Sequence, residues 1–360
     1  MSSYDHGGDI FGTARRMGSA PELLLDFSAS INPLGMPEGV RKAIFEGVDR
    51  LVHYPDPFAG PLRELLAVHH GVAPEEILPA NGSTELIYLL PRVIKGKRAL
   101  IVAPAFSEYS RALAAAGWEV EYQILSPDDG FELGLDSLKA RIEEGYNALF
   151  VCNPGNPTGR LYGRGEVLEL SAICRDAGVT LVLDEAFIDF CGEEASVLPE
   201  LVAAGGSIVL RSLTKFYAIP GLRLGYAAAS SDICGRLSEL RGPWSVNSLA
   251  QAAGGAAMED SEYRLRTRDF VARERAALYR QLATIPGLVP FAGAANYLLV
   301  RMHGGTFAPD LCSDLQLRRG LLVRDCSSFA GLNESFIRVA VRSRQDNEVL
   351  AASLKELLPA

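Results

Sequence analysis

Short apolar runs alternate with stretches of helical spacing through most of the chain. Arg98–Ala103 reads RALIVA and stops at Pro104, and Ala148–Cys152 reads ALFVC and stops at a cluster of Asn, Pro and Gly. Residues 179–183 (VTLVL), 207–210 (SIVL) and 224–229 are three further runs of the same kind. Gly60–His70 and residues 107–116 and 166–177 place their apolar side chains at helical spacing instead. Short apolar strands alternating with amphipathic helices predict an α/β domain with a mostly parallel sheet covered on both faces. Around residues 260–282 a long charged helix (YRLRTRDFVARERAALYRQL) marks a change. Beyond it, residues 296–301 and 336–341 alternate like strands of a smaller α+β unit. The segment before about residue 40 is rich in Gly, Pro, Ser and Asn and reads as an ordered arm over the surface. The expected division is an arm at 1–40, a large domain at 41–260 and a small C-terminal domain at 261–360.

Composition refines this picture without changing it. A chain of 360 residues is too long for one simple core and suits a large domain with a smaller one. It is 48% apolar and 22% charged, as an ordered globular protein is. The net charge of −9, with no basic stripe, argues against nucleic acid as a partner. A few local arginines can still hold a small anionic substrate. The six cysteines have no metal-ligand spacing and no CxxC, so they read as reduced thiols, and no metal is expected. No apolar run approaches the ~20 residues of a membrane helix. The start, MSSYDHGGDI, lacks a signal peptide's apolar core, so the expected location is the cytoplasm.

In an open α/β sheet, ligands gather at the carboxyl ends of the strands. Four polar clusters fall there. Asn81-Gly82-Ser83-Thr84-Glu85 opens a helix, where backbone N–H groups, hydroxyls and the helix dipole favour an anion; the same residues would also serve as a plain helix cap. Asn153-Pro154-Gly155-Asn156-Pro157-Thr158-Gly159 follows a strand, and its two X-Pro steps are expected to extend the chain and present Asn156. Asp184-Glu185-Ala186-Phe187 puts an acid at the end of a buried strand, where acids seldom serve packing. Arg211-Ser212-Leu213-Thr214-Lys215-Phe216 surrounds a lysine with hydroxyls and aromatics. Desolvation and nearby cations lower such a lysine's pKa and make it a nucleophile toward carbonyls. Arg223 follows eight residues later, with a fork of donors suited to phosphate.

Taken in order, G-S-T, N-P-x-N-P-T-G, D-E-A-[FY], S-x-T-K and G-L-R-x-G resemble the motifs of the fold-type I pyridoxal-phosphate enzymes, the aspartate aminotransferase superfamily. The resemblance covers nearly the whole chain. It implies a seven-stranded, mostly parallel sheet in the large domain and pyridoxal 5′-phosphate as cofactor. It implies further that Lys215 holds the cofactor covalently and moves protons, and that Asp184 keeps its pyridine nitrogen protonated. Asn156 would bond the ring's phenolic oxygen and Phe106 would stack on the ring. Gly82, Ser83, Thr84, Ser212 and Arg223 would hold the phosphate. Tyr54 matches a tyrosine that reaches the phosphate from a second copy, which implies a homodimer with shared sites. Many relatives have tyrosine where this chain has Phe187, so the ring oxygen would lose one donor here.

The finer pattern resembles the branch of that superfamily that decarboxylates L-threonine O-3-phosphate for cobalamin biosynthesis. It rests on His6-Gly7-Gly8-Asp9 with residues 26–35, on DEAFIDF from Asp184, and on RSLTKFYAIPGLRLGY from Arg211 with Pro243-Trp244-Ser245-Val246-Asn247. Ser30 departs from the asparagine of that pattern. By this resemblance His6, Gly7, Asn32, Asn156, Arg324 and Arg338 contact a phosphorylated amino acid. Arg338 matches the family's carboxylate-binding arginine and Arg324 a second substrate arginine, and two arginines fit a substrate with two anionic groups. Histidinol-phosphate aminotransferases are close kin with the same cofactor motifs. Regulators that sense the cofactor share the fold but add an N-terminal DNA-binding domain; a fold expected to start within about 40 residues and an acidic net charge of −9 make that a remote alternative.

Overall fold

The computed structural model describes residues 6–358, so the first five residues of the expected arm and the last two of the small domain lie outside the described residues. Thirteen strands are found among the described residues: β1 (Leu25–Asp26), β2 (Ile77–Ala80), β3 (Arg98–Ala103), β4 (Glu119–Ile124), β5 (Ala148–Cys152), β6 (Thr180–Asp184), β7 (Ser207–Ser212), β8 (Gly225–Ala229), β9 (Leu288–Pro290), β10 (Tyr297–Met302), β11 (Leu321–Leu322), β12 (Arg324–Asp325) and β13 (Phe336–Ala340). Seven of them form one sheet in the order β2-β8-β7-β6-β5-β3-β4. Pairings among β3 to β7 are parallel, each strand reached through a crossover helix. Strand β8 runs antiparallel to both β7 and β2. The cause is local, because no long crossover helix separates β7 from β8 and a parallel return needs one.

Strands β5 and β7 are buried at every position, which explains their unbroken apolar runs. The two edge strands are absent from the apolar pattern for a physical reason. Strand β4 reads EVEYQI and is half-exposed along its length, while β2 carries Pro79, which a sheet accepts most readily at an edge. Two apolar layers cover the sheet. One gathers Leu100, Leu149, Leu181 and Val209, and the other Ile101, Phe150, Val182 and Ile208, as the two-residue period of a strand requires.

A second sheet, β12-β13-β10-β9, is antiparallel. Leu278 and Leu282 of the helix Ser261–Ala283 and Leu350 and Leu354 of the helix Arg344–Leu357 close over it with Leu298, Val300 and Ile337. The arm differs from a plain surface strap. It contains the helix Ile10–Met17, which Asp9 caps through Gly12 N and Gly18 ends in a left-handed turn. Strand β1 then pairs in parallel with β11, so the arm is stitched to the C-terminal part of the chain.

Candidate active site

The carboxyl ends of β5, β6 and β7 are neighbours, and Asn156, Asp184 and Lys215 gather there. Lys215 lies in the short helix Leu213–Phe216 that follows β7. Its Nζ donates to Ser212 Oγ at 3.1 Å and stands 5.3 Å from the centre of the Phe187 ring. Burial pulls its ammonium below the ordinary lysine value; the nearby Asp184 opposes this, and Arg223 and Arg338 add to it. Those three groups are therefore within electrostatic reach of the lysine.

Asp184 ends β6 and is almost fully buried. Tyr109 donates its hydroxyl to one carboxylate oxygen at 2.5 Å and Ala186 N–H donates to the other at 2.9 Å. Burial raises the Asp184 pKa, while the Tyr109 bond, Lys215 and the Ala186 N–H favour the anion. The resulting group is an acceptor held in place with a cation partner at hand, suited to pairing with a protonated heterocycle.

The helix Ser83–Val93 begins beneath Arg223. A Cβ on Gly82, whose φ is +80°, would come within 2.8 Å of the Arg223 guanidinium, so only glycine lets the cation lie over the helix start. Arg223 itself sits at φ +59°, a strained position for a side-chain-bearing residue of the kind found at ligand clamps. Ser83 is buried and Thr84 half-buried on the first turn. Helix N-terminus, guanidinium and the Ser212 and Thr214 hydroxyls, 2.8 Å apart, form a cup that could hold a phosphate.

Asn156 follows β5 in a loop where the Asn153–Pro154 and Asn156–Pro157 peptide bonds are both cis rather than simply extended. Its Oδ1 accepts from the Arg338 guanidinium. Arg338 also donates to Ser28 O at 2.8 Å, and its Nε is buried without a hydrogen-bond partner among the described residues. Arg324 stands directly opposite Arg338 in the β12–β13 register, so both side chains leave the same face of the sheet. Arg324 donates to Ser328 Oγ at 3.2 Å and lies 5.2 Å from the Phe329 ring.

The arm closes the other side. His6 Nε2 is 2.8 Å from Glu108 Oε1, and its ring lies 5.5 Å from Phe106. Gly7 passes so close to the Ser28 carbonyl that a Cβ would sit 2.2 Å from its oxygen. Phe106 is half-buried beside a cavity of about 350 Å³ that it lines with Ser107, Ser110, Ser328 and Phe329. Asn32 is placed differently from a substrate ligand. Its amide nitrogen is used by Phe216 O, Tyr263 Oη and Thr267 Oγ1 at 2.7–3.0 Å, and its backbone N–H binds Lys215 O. This ties Asn32 to the turn that carries the lysine and leaves only lone-pair capacity on Oδ1, which already accepts from Leu34 N. Tyr54 is far out on the surface, 79% exposed and stacked on Trp244.

Three groups escaped the sequence reading. Tyr109, three residues beyond Phe106, holds Asp184. Glu108 anchors His6 while accepting from Tyr88 and Arg111. Arg211, fully buried, spans Glu185 and Asp189 and braces the end of β7. Each is an ordinary residue whose partner is distant in sequence, so no local signal marks it. Among the described residues, His69, His70 and Glu193 form one group of metal-capable ligands. Their donors are engaged, His70 with Tyr226 and Glu193 with Arg268 and Arg211.

The model of the aminotransferase class I and II family matches residues 23–354. The chain is 42% identical to the threonine-phosphate decarboxylase of Salmonella typhimurium, over 98% of this chain and 96% of that protein. It is 32% identical, over 97% of its length, to 40% of a longer protein, the adenosylcobalamin biosynthesis bifunctional protein CobDQ of Leptospira interrogans. Among solved structures, the histidinol-phosphate aminotransferase of Clostridium acetobutylicum superimposes with a TM-score of 0.87 at 27% identity, over 93% of this chain and 99% of that one.

Proposed function

The chain belongs to the aminotransferase class I and II family, and from that premise we propose that it decarboxylates L-threonine O-3-phosphate to (R)-1-aminopropan-2-yl phosphate in cobalamin biosynthesis. What carries the reading is the likeness, 42% over nearly the full length of both chains, to a threonine-phosphate decarboxylase. The overall fold does not separate the two branches, since an aminotransferase superimposes closely at lower identity. Phe187 and the docked His6–Gly7 arm favour the decarboxylase.

The cup, the acceptor and the lysine fit pyridoxal 5′-phosphate. Lys215 would hold it covalently, and Asp184 would bind its pyridine nitrogen. Asn156 would bond the phenolic oxygen, and Phe106 would lie on the ring. Gly82, Ser83, Thr84, Ser212 and Arg223 would take its phosphate, with Tyr54 supplied by a second copy of the chain in a homodimer. When bound, the cofactor supplies an electron sink for charge left at Cα. The protein's residues choose which bond to Cα breaks. Arg338 and Arg324, side by side on one face of the small sheet, take the carboxylate and phosphate of the substrate between them, with His6, Gly7 and Asn156 around it, while Asn32 holds the turn that carries Lys215. A fixed carboxylate orients its own bond for cleavage. A proton must take the place of the departing carbon dioxide at Cα, and Lys215, whose proton affinity is lowered, is one candidate to deliver it. Phe187 offers no hydroxyl to the cofactor oxygen, so Asn156 carries that contact.

We also take residues 1–40 as the arm, 41–260 as the large domain and 261–360 as the small one, in a cytoplasmic enzyme. No helix among the described residues is long and apolar enough to cross a membrane. The test is to incubate the purified protein, loaded with cofactor, with L-threonine O-3-phosphate and measure gas and amine. Stoichiometric carbon dioxide and 1-aminopropan-2-yl phosphate are expected. A keto acid without gas, or turnover of histidinol phosphate with 2-oxoglutarate alone, would move the chain to the aminotransferase branch.

A further inference from the structure

We propose that Tyr297 is a positioning residue that sets the carboxylate clamp by holding Arg338, Phe187 and the Asn156 loop in one arrangement. The proposal rests on the reading of Arg338 as the carboxylate ligand. Tyr297 opens β10 and is fully buried. Its side chain makes three contacts. Its hydroxyl donates to Gly155 O at 2.7 Å, one residue before Asn156. The Arg338 guanidinium carbon lies 5.1 Å from the ring centre, within cation–π range. The Phe187 ring meets it edge-on at 5.0 Å and 81°.

These contacts join elements that the chain connects only at long range. Residue 155 is 142 positions from Tyr297, and Asn156 is 182 positions from Arg338. The loop is held close by backbone as well, since Ala294 N–H donates to Gly159 O at 2.8 Å. Arg338 is on β13, paired with β10, and its register partner is Leu299 rather than Tyr297. The guanidinium therefore reaches along the sheet to the tyrosine ring and is held there while it donates to Asn156 and Ser28 O. Burial raises the phenol well above its ordinary value, so the hydroxyl keeps its proton and donates to the carbonyl. A ring that fixes a guanidinium plane also fixes the direction in which a bidentate carboxylate binds.

Two variants separate the contacts. Tyr297→Phe removes the Gly155 bond and keeps the ring; Tyr297→Leu removes both. The probes are L-threonine O-3-phosphate and 1-aminopropan-2-yl phosphate, which differ only by the carboxylate, tested on the cofactor-loaded enzyme. The expected KM for the first rises about threefold in Tyr297→Phe and about tenfold in Tyr297→Leu, with a smaller change in kcat. The inhibition constant of the second stays within about twofold of the parent. In an Arg338→Lys background, Tyr297→Phe should add little, because the two residues act as one unit. Equal weakening of both probes, or additive losses in the double variant, would overturn the proposal. Should Tyr297→Leu fail to fold, Tyr297→Phe carries the comparison. If the parent enzyme transaminates instead, the functional reading fails separately, and glutamate against 4-aminobutyrate then reads the same clamp.

Discussion

Lys215 is a half-buried amine, and Asp184 beside it is a buried acid. Each limits the cost of the other, and Tyr109, Ala186 N–H and Ser212 supply hydrogen bonds. The lowered lysine value makes the neutral amine available at a pH where surface lysines are still charged. The rate of cofactor attachment to the cofactor-free protein should therefore rise with pH through a midpoint below the ordinary lysine value of 10.5. Stopped-flow absorbance across pH measures it, and the Lys215→Ala variant should show no band that borohydride bleaches. The stability sign is the same. In the window between the lowered value and the ordinary one, the unfolded chain binds more protons, so the contribution is present above that window and lost as pH falls through the lowered value. The lysine and its acid were legible because each closes a buried strand with a polar motif. Tyr109 was not, because a tyrosine on an amphipathic helix looks like any core residue until its partner 75 positions away is known.

At the scale of elements, the anion cup is made by a strand crossing a helix start. Gly225 begins β8, and a Cβ there would lie 2.5 Å from Ser83 N and 2.7 Å from Arg211 O. Both neighbours are backbone, so neither can rotate away. Gly225→Ala should push the Ser83 N–H out of the cup and strain the end of β7. We expect cofactor affinity to fall about tenfold and stability by ~1–3 kcal/mol, read by cofactor titration and thermal unfolding. The apolar pattern located β3, β5, β6, β7 and β8 to within a residue or two, because their faces are both covered. It missed β2 and β4, whose outer edges face away from the sheet, and β1, whose two residues gain strand character only by pairing with β11.

At the scale of the molecule, Phe45 (69% exposed), Val52 (81%), Tyr54 (79%) and Phe58 (63%) leave a run of large apolar side chains on one stretch of chain. Large apolar side chains at this exposure suit contact with another chain, and the homodimer proposed above, in which Tyr54 reaches the second copy's cofactor, would cover them. Sedimentation should give a dimer. Phe45→Asp with Val52→Asp should shift it toward monomer, and the monomer should retain cofactor poorly because it lacks the partner's tyrosine. A monomeric parent protein with full cofactor occupancy would contradict this.

The sequence by itself determined which segments become buried strands and which polar residues end them, because both are written in local runs and turns. It thereby placed Lys215, Asp184, Asn156, Gly82, Ser83 and Arg223 at strand ends of one sheet. Only the tertiary structure decided how those groups are held. Tyr109 on Asp184, Glu108 on His6, Asn32 on the Lys215 turn, and Tyr297 between Arg338 and Phe187 are contacts between residues far apart in the chain. Their physical basis is side-chain geometry across packed elements, which no periodicity or motif within a single segment encodes.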